Sequence, residues 1–330
     1  MKAMVLSGPR RFETHDVPAP EIPGSGWIKV RHEASVVCGS DIAYWRGDKP
    51  FQKFPLEAGR PVHECCGEVI ESASDSFTPG DRVIAMPYAD QGLAEIFICE
   101  ENDAVRVPHN NEDEDASVLI QPLCTLLRAV DRLPDVNGLR TIVIGAGPIG
   151  LMAVWLLKAR GAGPILAIDP ISERLDAAVR LGADERLEAS STQARTLLRS
   201  GMFDFGEADL VVEAVGHAQS PVNDAIHMAR REGTLLVLGV PDEKIYAFEY
   251  DALFRKNLNL VASVTPDWRT YLDKAAALYS EKGGEIAFMI THRLPLSRAS
   301  EAYALAENRS DGCIKVLLDA RGFGNNPARD

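Results

Sequence analysis

Thr141-Ile142-Val143-Ile144-Gly145-Ala146-Gly147-Pro148-Ile149-Gly150 is the stretch from which the rest of the chain can be read. Ile142, Val143 and Ile144 form a short β-branched run, of the kind buried on both faces of a parallel sheet. The run stops at a glycine cluster, and an amphipathic segment over 149–160 follows it, which gives strand, tight turn and helix. Gly145, Gly147 and Gly150 have the G-x-G-x-x-G spacing. The first allows the turn, the second lets backbone approach a pyrophosphate, and the third lets helix pack on strand. Their freed N–H groups, with that of Ile149, face an anion at the positive end of a helix that Pro148 begins. A second apolar run over 165–168 ends at Asp169, at the distance where a carboxylate accepts hydrogen bonds from an adenosine ribose. The same carboxylate repels a 2′-phosphate, so the expected cofactor is NAD; Arg174 is the nearby residue that a phosphate would recruit.

A chain of 330 residues predicts two domains. A net charge of −13 argues against nucleic acid or an anionic membrane as partner, because both need clustered Lys and Arg. No stretch reaches the ~20 uninterrupted apolar residues of a bilayer span, and the opening apolar run, 3–6, is too short for a signal peptide, so the expected location is the cytoplasm. Six cysteines without framework spacing fit reduced thiols.

From Met1 to Val107 short alternating runs (27–32, 69–70, 82–84, 95–98) are separated by turn residues such as Pro79-Gly80-Asp81, which predicts an antiparallel, barrel-like domain. The acidic patch Glu112-Asp113-Glu114-Asp115 precedes an apolar segment over 116–130 and reads as a helix start. From 139 to 264 strands alternate with helices: strands at 141–144, 165–169, 210–212, 234–239 and 258–264, helices at 172–181 and 223–230. That alternation is the doubly wound α/β pattern, with ligands at the carboxyl ends of the strands, and places Val215 and Gly239 beside a cofactor. The tail reads as helices near 270–279 and 297–307 and a strand at 314–318, returning to the first domain, with a frayed end over 322–330. The domains expected are therefore 1–128 with 266–330, and 129–265.

Cys38-Gly39-Ser40-Asp41 and His63-Glu64 carry the chemistry of the first domain. A soft thiolate, an imidazole and a carboxylate brought together from separate loops make a zinc site with room for a substrate oxygen. Cys65, Cys66, Cys99 and Cys313 read as core residues; Cys124, three residues from Gln121, is a possible competing ligand.

With Tyr44-Trp45, Gly80-Asp81-Arg82-Val83, Gln121-Pro122-Leu123 and Thr291-His292-Arg293-Leu294-Pro295-Leu296 in the same order, the chain resembles the zinc-dependent medium-chain alcohol dehydrogenases over essentially its whole length. Residues 38–45 and 121–130 are most similar to the sorbitol (polyol) dehydrogenase branch. The resemblance implies a Rossmann domain and a mostly antiparallel GroES-like catalytic domain. It implies Cys38, His63 and Glu64 as zinc ligands with Gln121 beside the metal or its water, Tyr44 as a substrate contact, and a homodimer or homotetramer. Several positions depart from the branch. Gln121 stands where Glu is usual, Val62 where Gly is usual, Ala43 where a proton-relaying His is common, and Ser263-Val264 where Arg and Tyr hold a polyol. The segment 87–93 lacks the cysteines of a structural zinc, so a single zinc is expected. The implied reaction is oxidation of a secondary alcohol (a polyol, sugar, cyclitol or amino-alcohol) to a ketone, with Ser40 passing the hydroxyl proton and Asp41 holding His63. The competing readings are a zinc-free quinone or enone reductase of the same superfamily and a non-catalytic NAD-binding sensor.

Overall fold

Strand β1 (Lys2–Gly8) turns back on β2 (Arg11–Asp16), with Leu6 opposite Phe12, in a two-stranded antiparallel sheet. The structure, a computed structural model, describes residues 1–108, 113–264 and 267–324. Its contacts divide the chain into two compact units, Met1–Cys124 with Asp267–Asp330, and Thr125–Pro266. Glu112 of the acidic patch, Thr265-Pro266 and the last six residues of the expected frayed end lie outside the described residues.

The first unit is organised on β3 (Trp27–Val36), whose Ile28, Val30, Ala34 and Val36 are fully buried on alternate positions. The chain then makes a short helix, α1 (Asp41–Arg46), and returns as β4 (Cys65–Ser72), which lies antiparallel to β3 with Ser35 opposite Cys65. β5 (Arg82–Ala85) pairs with β4, β6 (Ile96–Glu100) with β3, and β7 (Ala104–Arg106) with β5, all antiparallel. The expected single helix over 116–130 begins instead as a 3₁₀ segment, Glu114–Leu119, and becomes α-helical only as α2 (Ile120–Val130). Pro122 supplies the reason: without an N–H it cannot continue an α-helical ladder back to Val118, and it is tolerated only in a first turn. Asp113 caps the start, its carboxylate accepting the Ala116 N–H at 3.2 Å.

The second unit alternates strictly. β8 (Thr141–Ile144), α3 (Pro148–Ala159), β9 (Ile165–Asp169) and α4 (Ser172–Arg180) are followed by β10 (Glu185–Glu188) and α5 (Ser191–Arg199). Then come β11 (Ala208–Glu213), α6 (Ser220–Met228), β12 (Ala229–Val237), α7 (Tyr250–Arg255) and β13 (Asn259–Ala262). The six strands are all parallel, in the order β10-β9-β8-β11-β12-β13. In chain order this is 3-2-1-4-5-6, whose direction reverses between β8 and β11, the crevice where dinucleotides bind in such sheets. The pattern of apolar residues did not reveal β10 or α5, which carry few of them, nor α7, which is only six residues long and has no buried residue. α6 ends at Met228 rather than at 230, because Ala229 already pairs with Ala208 of β11.

The tail comes back to the first unit. α8 (Trp268–Lys282) starts at Asp267, whose carboxylate accepts the Thr270 N–H at 3.1 Å. β14 (Ile290–Pro295), α9 (Ala299–Asn308) and β15 (Lys315–Asp319) complete the sheet. β15 inserts between β14, to which it is parallel, and β3, to which it is antiparallel with Leu317 opposite Val36. Beneath this sheet Phe12 stacks on Trp45 of α1 at 5.4 Å and meets Tyr303 of α9 edge-on at 5.0 Å. Cys65, Cys99 and Cys313 belong to this core; Cys66 and Cys124 are also fully or almost fully buried.

Candidate active site

The end of β3 delivers Cys38 into a turn that α1 closes. The Asp41 N–H donates to the Cys38 carbonyl at 3.1 Å, and Asp41 Oδ2 accepts the Cys38 N–H at 3.0 Å. The other carboxylate oxygen lies 3.4 Å from His63 Nδ1. His63 and Glu64 lead into β4, anchored by the Val36 N–H donating to the Glu64 carbonyl at 3.1 Å. Strand pairing therefore brings residues 38 and 63–64 to one place. One ligand atom from each of Cys38, His63 and Glu64 lies within 4.8 Å of the others, the one such group of His, Cys, Asp or Glu among the described residues. A residue missed in the sequence completes it: Lys315 of β15, buried, places Nζ 2.6 Å from Glu64 Oε2. Lys315 sits two residues before the Leu317–Val36 pair and so faces the Cys38 turn, a registry that no local motif announces.

Burial dominates the electrostatics. It pushes the Cys38 thiol up to about 11, helped by the Glu64 charge and opposed by Lys315. It also pushes the Asp41 carboxyl well above the usual carboxylate range, against the pull of His63. For Lys315 burial works downward, but Glu64 and Cys38 outweigh it and hold the ammonium above its ordinary value. A buried thiol and carboxylate crowded together are what a divalent cation would relieve. Sulfur, nitrogen and oxygen donors in one group suit zinc, and three protein donors leave a position for substrate oxygen. Ser40 Oγ, at the start of α1, is shielded from solvent without a hydrogen bond of good geometry, although it lies close enough to the Cys38 sulfur to favour the thiolate. Gln121, second residue of α2, is buried with Nε2 3.6 Å from Met86 Sδ. Cys124 stands outside the group of ligand atoms, its thiol pushed up to about 12 by burial. Tyr44, one turn along α1 from Asp41, stacks on Phe51 with ring centroids 3.8 Å apart.

The second unit holds the glycine turn. Gly145 has φ of 93°, and a Cβ on Gly150 would overlap the Gly145 carbonyl oxygen, so helix and strand meet only through glycine. Gly147 is different: a Cβ there would have no neighbour nearer than Arg174 Nη1 at 3.9 Å, so the space before it is open. Pro148 and Ile149 form the first turn of α3, with Pro148 at its start. Asp169, expected to meet a ribose, is buried and braces the turn: Oδ2 accepts the Ala146 N–H at 2.8 Å and Oδ1 the Ile171 N–H at 2.9 Å. Each oxygen keeps a second lone pair for a ligand hydroxyl. Glu213 at the end of β11 was missed as a functional residue. Its Oε1 accepts the N–H groups of Val215 and Gly216 at 2.8 and 3.1 Å, and a Cβ on Gly239 would fall 2.5 Å from its Oε2. One carboxylate thus fixes both loops, 214–216 and 238–239, at the carboxyl ends of β11 and β12.

The family model described as zinc-binding dehydrogenase matches residues 148–281, and that described as alcohol dehydrogenase GroES-like domain matches residues 24–109. The chain belongs to the zinc-dependent medium-chain alcohol dehydrogenase family. Its likeness within this family is to polyol dehydrogenases. Sorbitol dehydrogenase of Ovis aries is 26% identical over 359 residues, covering 98% of each chain, and that of Homo sapiens is 27% identical over 360, covering 98% of this chain and 97% of the human protein. Among solved structures, an alcohol dehydrogenase from Thermus sp. ATN1 superposes with a TM-score of 0.83 at 27% identity, over 97% of this chain and all of that one. As a medium-chain alcohol dehydrogenase the protein is an oxidoreductase with a GroES-like and a Rossmann domain. No described helix is long and apolar enough to cross a membrane.

Proposed function

We propose that this protein oxidises a secondary alcohol of the polyol, sugar, cyclitol or amino-alcohol class to a ketone, with zinc and NAD. The observation that carries the reading is the convergence of Cys38, His63 and Glu64 within 4.8 Å, with Asp41 on His63. Cys38, His63 and Glu64 would hold one zinc, with Gln121 beside it. When bound, the metal draws the pKa of a coordinated alcohol toward neutrality, and NAD takes up the hydride. Asp41 fixes the orientation of His63 through Nδ1, leaving the other ring nitrogen for the metal. Ser40 is a hydroxyl at the Cys38 turn that can accept a proton and donate its own, so it relays the proton released from the substrate hydroxyl. Ala43 offers no group for the outer step of that relay, and water takes over there. Asp169 would take the adenosine ribose hydroxyls, Gly147 the pyrophosphate, and Val215 and Gly239 the nicotinamide side, which supports NAD over NADP. A zinc-free reductase has no use for a thiol, imidazole and carboxylate gathered in one place.

We place the protein in the cytoplasm as a homo-oligomer; the edge of the parallel sheet, where among the described residues β13 pairs on one side only and Leu260 is 48% exposed, supports the assembly. The test is zinc per chain in protein purified without added metal or chelator, with NAD reduction over a polyol and cyclitol panel. One zinc, lost on chelation together with alcohol-dependent NADH formation, supports the reading. Zinc-free protein with freely alkylated Cys38 and intact NADH binding overturns it.

A further inference from the structure

In a chain with 48 acidic and 35 basic Lys and Arg residues, arginines are readily paired. Arg10 and Arg46 reach Glu307 at 2.7 and 2.9 Å, and Arg82 reaches Glu114, Glu33 and Asp115 at 2.6 to 2.9 Å. Arg60, three residues before His63, is held more loosely. Its nearest carboxylate, Asp90, is 3.9 Å from Nη2, and its Nε–H is shielded from solvent without an acceptor. The guanidinium instead lies over the Tyr44 ring, 5.4 Å from the centroid, with Nη2 donating to the Tyr44 hydroxyl at 3.5 Å. The side chain remains 27% exposed.

Two connections tie this cation to the reaction centre. Arg60 precedes the ligand His63 by three residues, and Tyr44 follows Asp41, which holds His63, by one helical turn of α1. Phe51, stacked on Tyr44, fixes the ring over which the guanidinium lies. A planar fork of donors, placed over an aromatic ring with unused hydrogen-bonding capacity, suits a carboxylate or phosphate better than a lone hydroxyl.

We propose that Arg60 is a specificity-determining residue that selects a polyhydroxy alcohol bearing an oxyanion, a carboxylate or a phosphate, with Tyr44 supplying the wall and a hydroxyl beside it. This rests on the alcohol dehydrogenase reading and narrows its substrate class. The anionic end binds the guanidinium through paired N–H···O bonds, while the secondary hydroxyl reaches toward Cys38, His63 and Glu64.

The test compares a neutral hexitol, the matching aldonate and the matching hexitol phosphate as substrates of the zinc-loaded protein with NAD. Wild-type protein is set against Arg60→Met, Arg60→Lys and the charge control Arg31→Met, at an exposed position of β3. In the wild type kcat/KM favours one anionic substrate over the hexitol by at least about tenfold, and Arg60→Met removes that preference through KM. Arg60→Lys restores part of it and Arg31→Met leaves it in place; which anion gains distinguishes carboxylate from phosphate. Calorimetric titration with gluconate and with inorganic phosphate gives a readout independent of turnover, about tenfold weaker in Arg60→Met for the preferred ion. If Arg60→Met does not fold, Arg60→Lys and Tyr44→Phe carry the comparison. Neutral and anionic substrates used equally well, with titrations that do not differ between wild type and variant, overturn the proposal while leaving alcohol oxidation standing. Oxyanion binding lost in Arg60→Met, without oxidation of any alcohol, keeps the Arg60 assignment and overturns the reaction instead.

Discussion

Glu307 fastens α1, and with it the turn that carries Cys38, Ser40 and Asp41. From α9 its carboxylate accepts Arg10 Nη2 at 2.7 Å, Trp45 Nε1 at 2.8 Å and Arg46 Nε at 2.9 Å. These donors, Arg10 foremost, hold the carboxyl down at about 2, against 4.5 for an ordinary glutamate. At 1.36 kcal/mol per pH unit the difference is roughly 3 kcal/mol in favour of the charged folded form. Arg10 and Arg46 are 54% and 38% exposed, and screening by solvent brings this to about 2 kcal/mol. The folded value lies below the unfolded one, so the stabilisation is complete above about pH 4.5 and fades as the pH falls toward 2. Glu307→Gln keeps the shape and one acceptor oxygen but loses the charge. Denaturant unfolding of both proteins at pH 6 and again near pH 3 should show the variant weaker by about 2 kcal/mol at pH 6, with the gap narrowing markedly in acid. No gap at pH 6, or one of constant size down to pH 3, would refute the assignment of this carboxylate as an ionised clasp.

Lys315→Met leaves Glu64 buried without its cation, a loss of about 3 to 5 kcal/mol. Thermal melts of metal-free protein should show it, and added zinc should recover part of the loss if Glu64 is a ligand. Gly150→Ala and Gly147→Ala separate folding from binding. The first forces a Cβ into the Gly145 carbonyl and should leave little folded protein, whereas the second has room and should melt normally while binding NADH at least about tenfold more weakly by fluorescence titration. Leu260→Lys on the outer edge of the parallel sheet should shift sedimentation toward the monomer; an unchanged sedimentation coefficient places the interface elsewhere.

The first two strands of the parallel sheet were legible because each ends where chemistry requires particular residues: Gly145 after β8, Asp169 after β9. α5 carried a usable signal too, the capping box in which Ser190 takes the Gln193 N–H and Gln193 reciprocates, but its apolar stripe is thin and drew no attention. β10 has a single buried residue, Leu187, as a strand near the edge of a sheet has little to bury. The trio Cys38, His63 and Glu64 was readable because a thiol, an imidazole and a carboxylate stand together in a chain that also carries a dinucleotide turn, although each alone is unremarkable. Lys315 and Glu213 were not, since a lysine before an apolar run and a glutamate after one look like ordinary strand flanks until register and turn geometry place them. Asp169 shows a different limit: the residue was found, but its two backbone bonds to Ala146 and Ile171 belong to a fold that must exist before they can be counted.

The insertion of β15 between β3 and β14 bears on how the protein is made. Cys38, His63 and Glu64 leave the ribosome early, but Lys315 and the strand that seals their turn arrive only after the whole second unit has been synthesised. The parallel-sheet unit is one uninterrupted segment and can fold during translation, whereas the first unit must wait with an open sheet edge for its last strand. Loading of the proposed metal site would thereby follow completion of translation: a nascent chain halted before residue 315 has the Cys38 thiol and the His63 imidazole and lacks the buried ammonium that balances the Glu64 carboxylate.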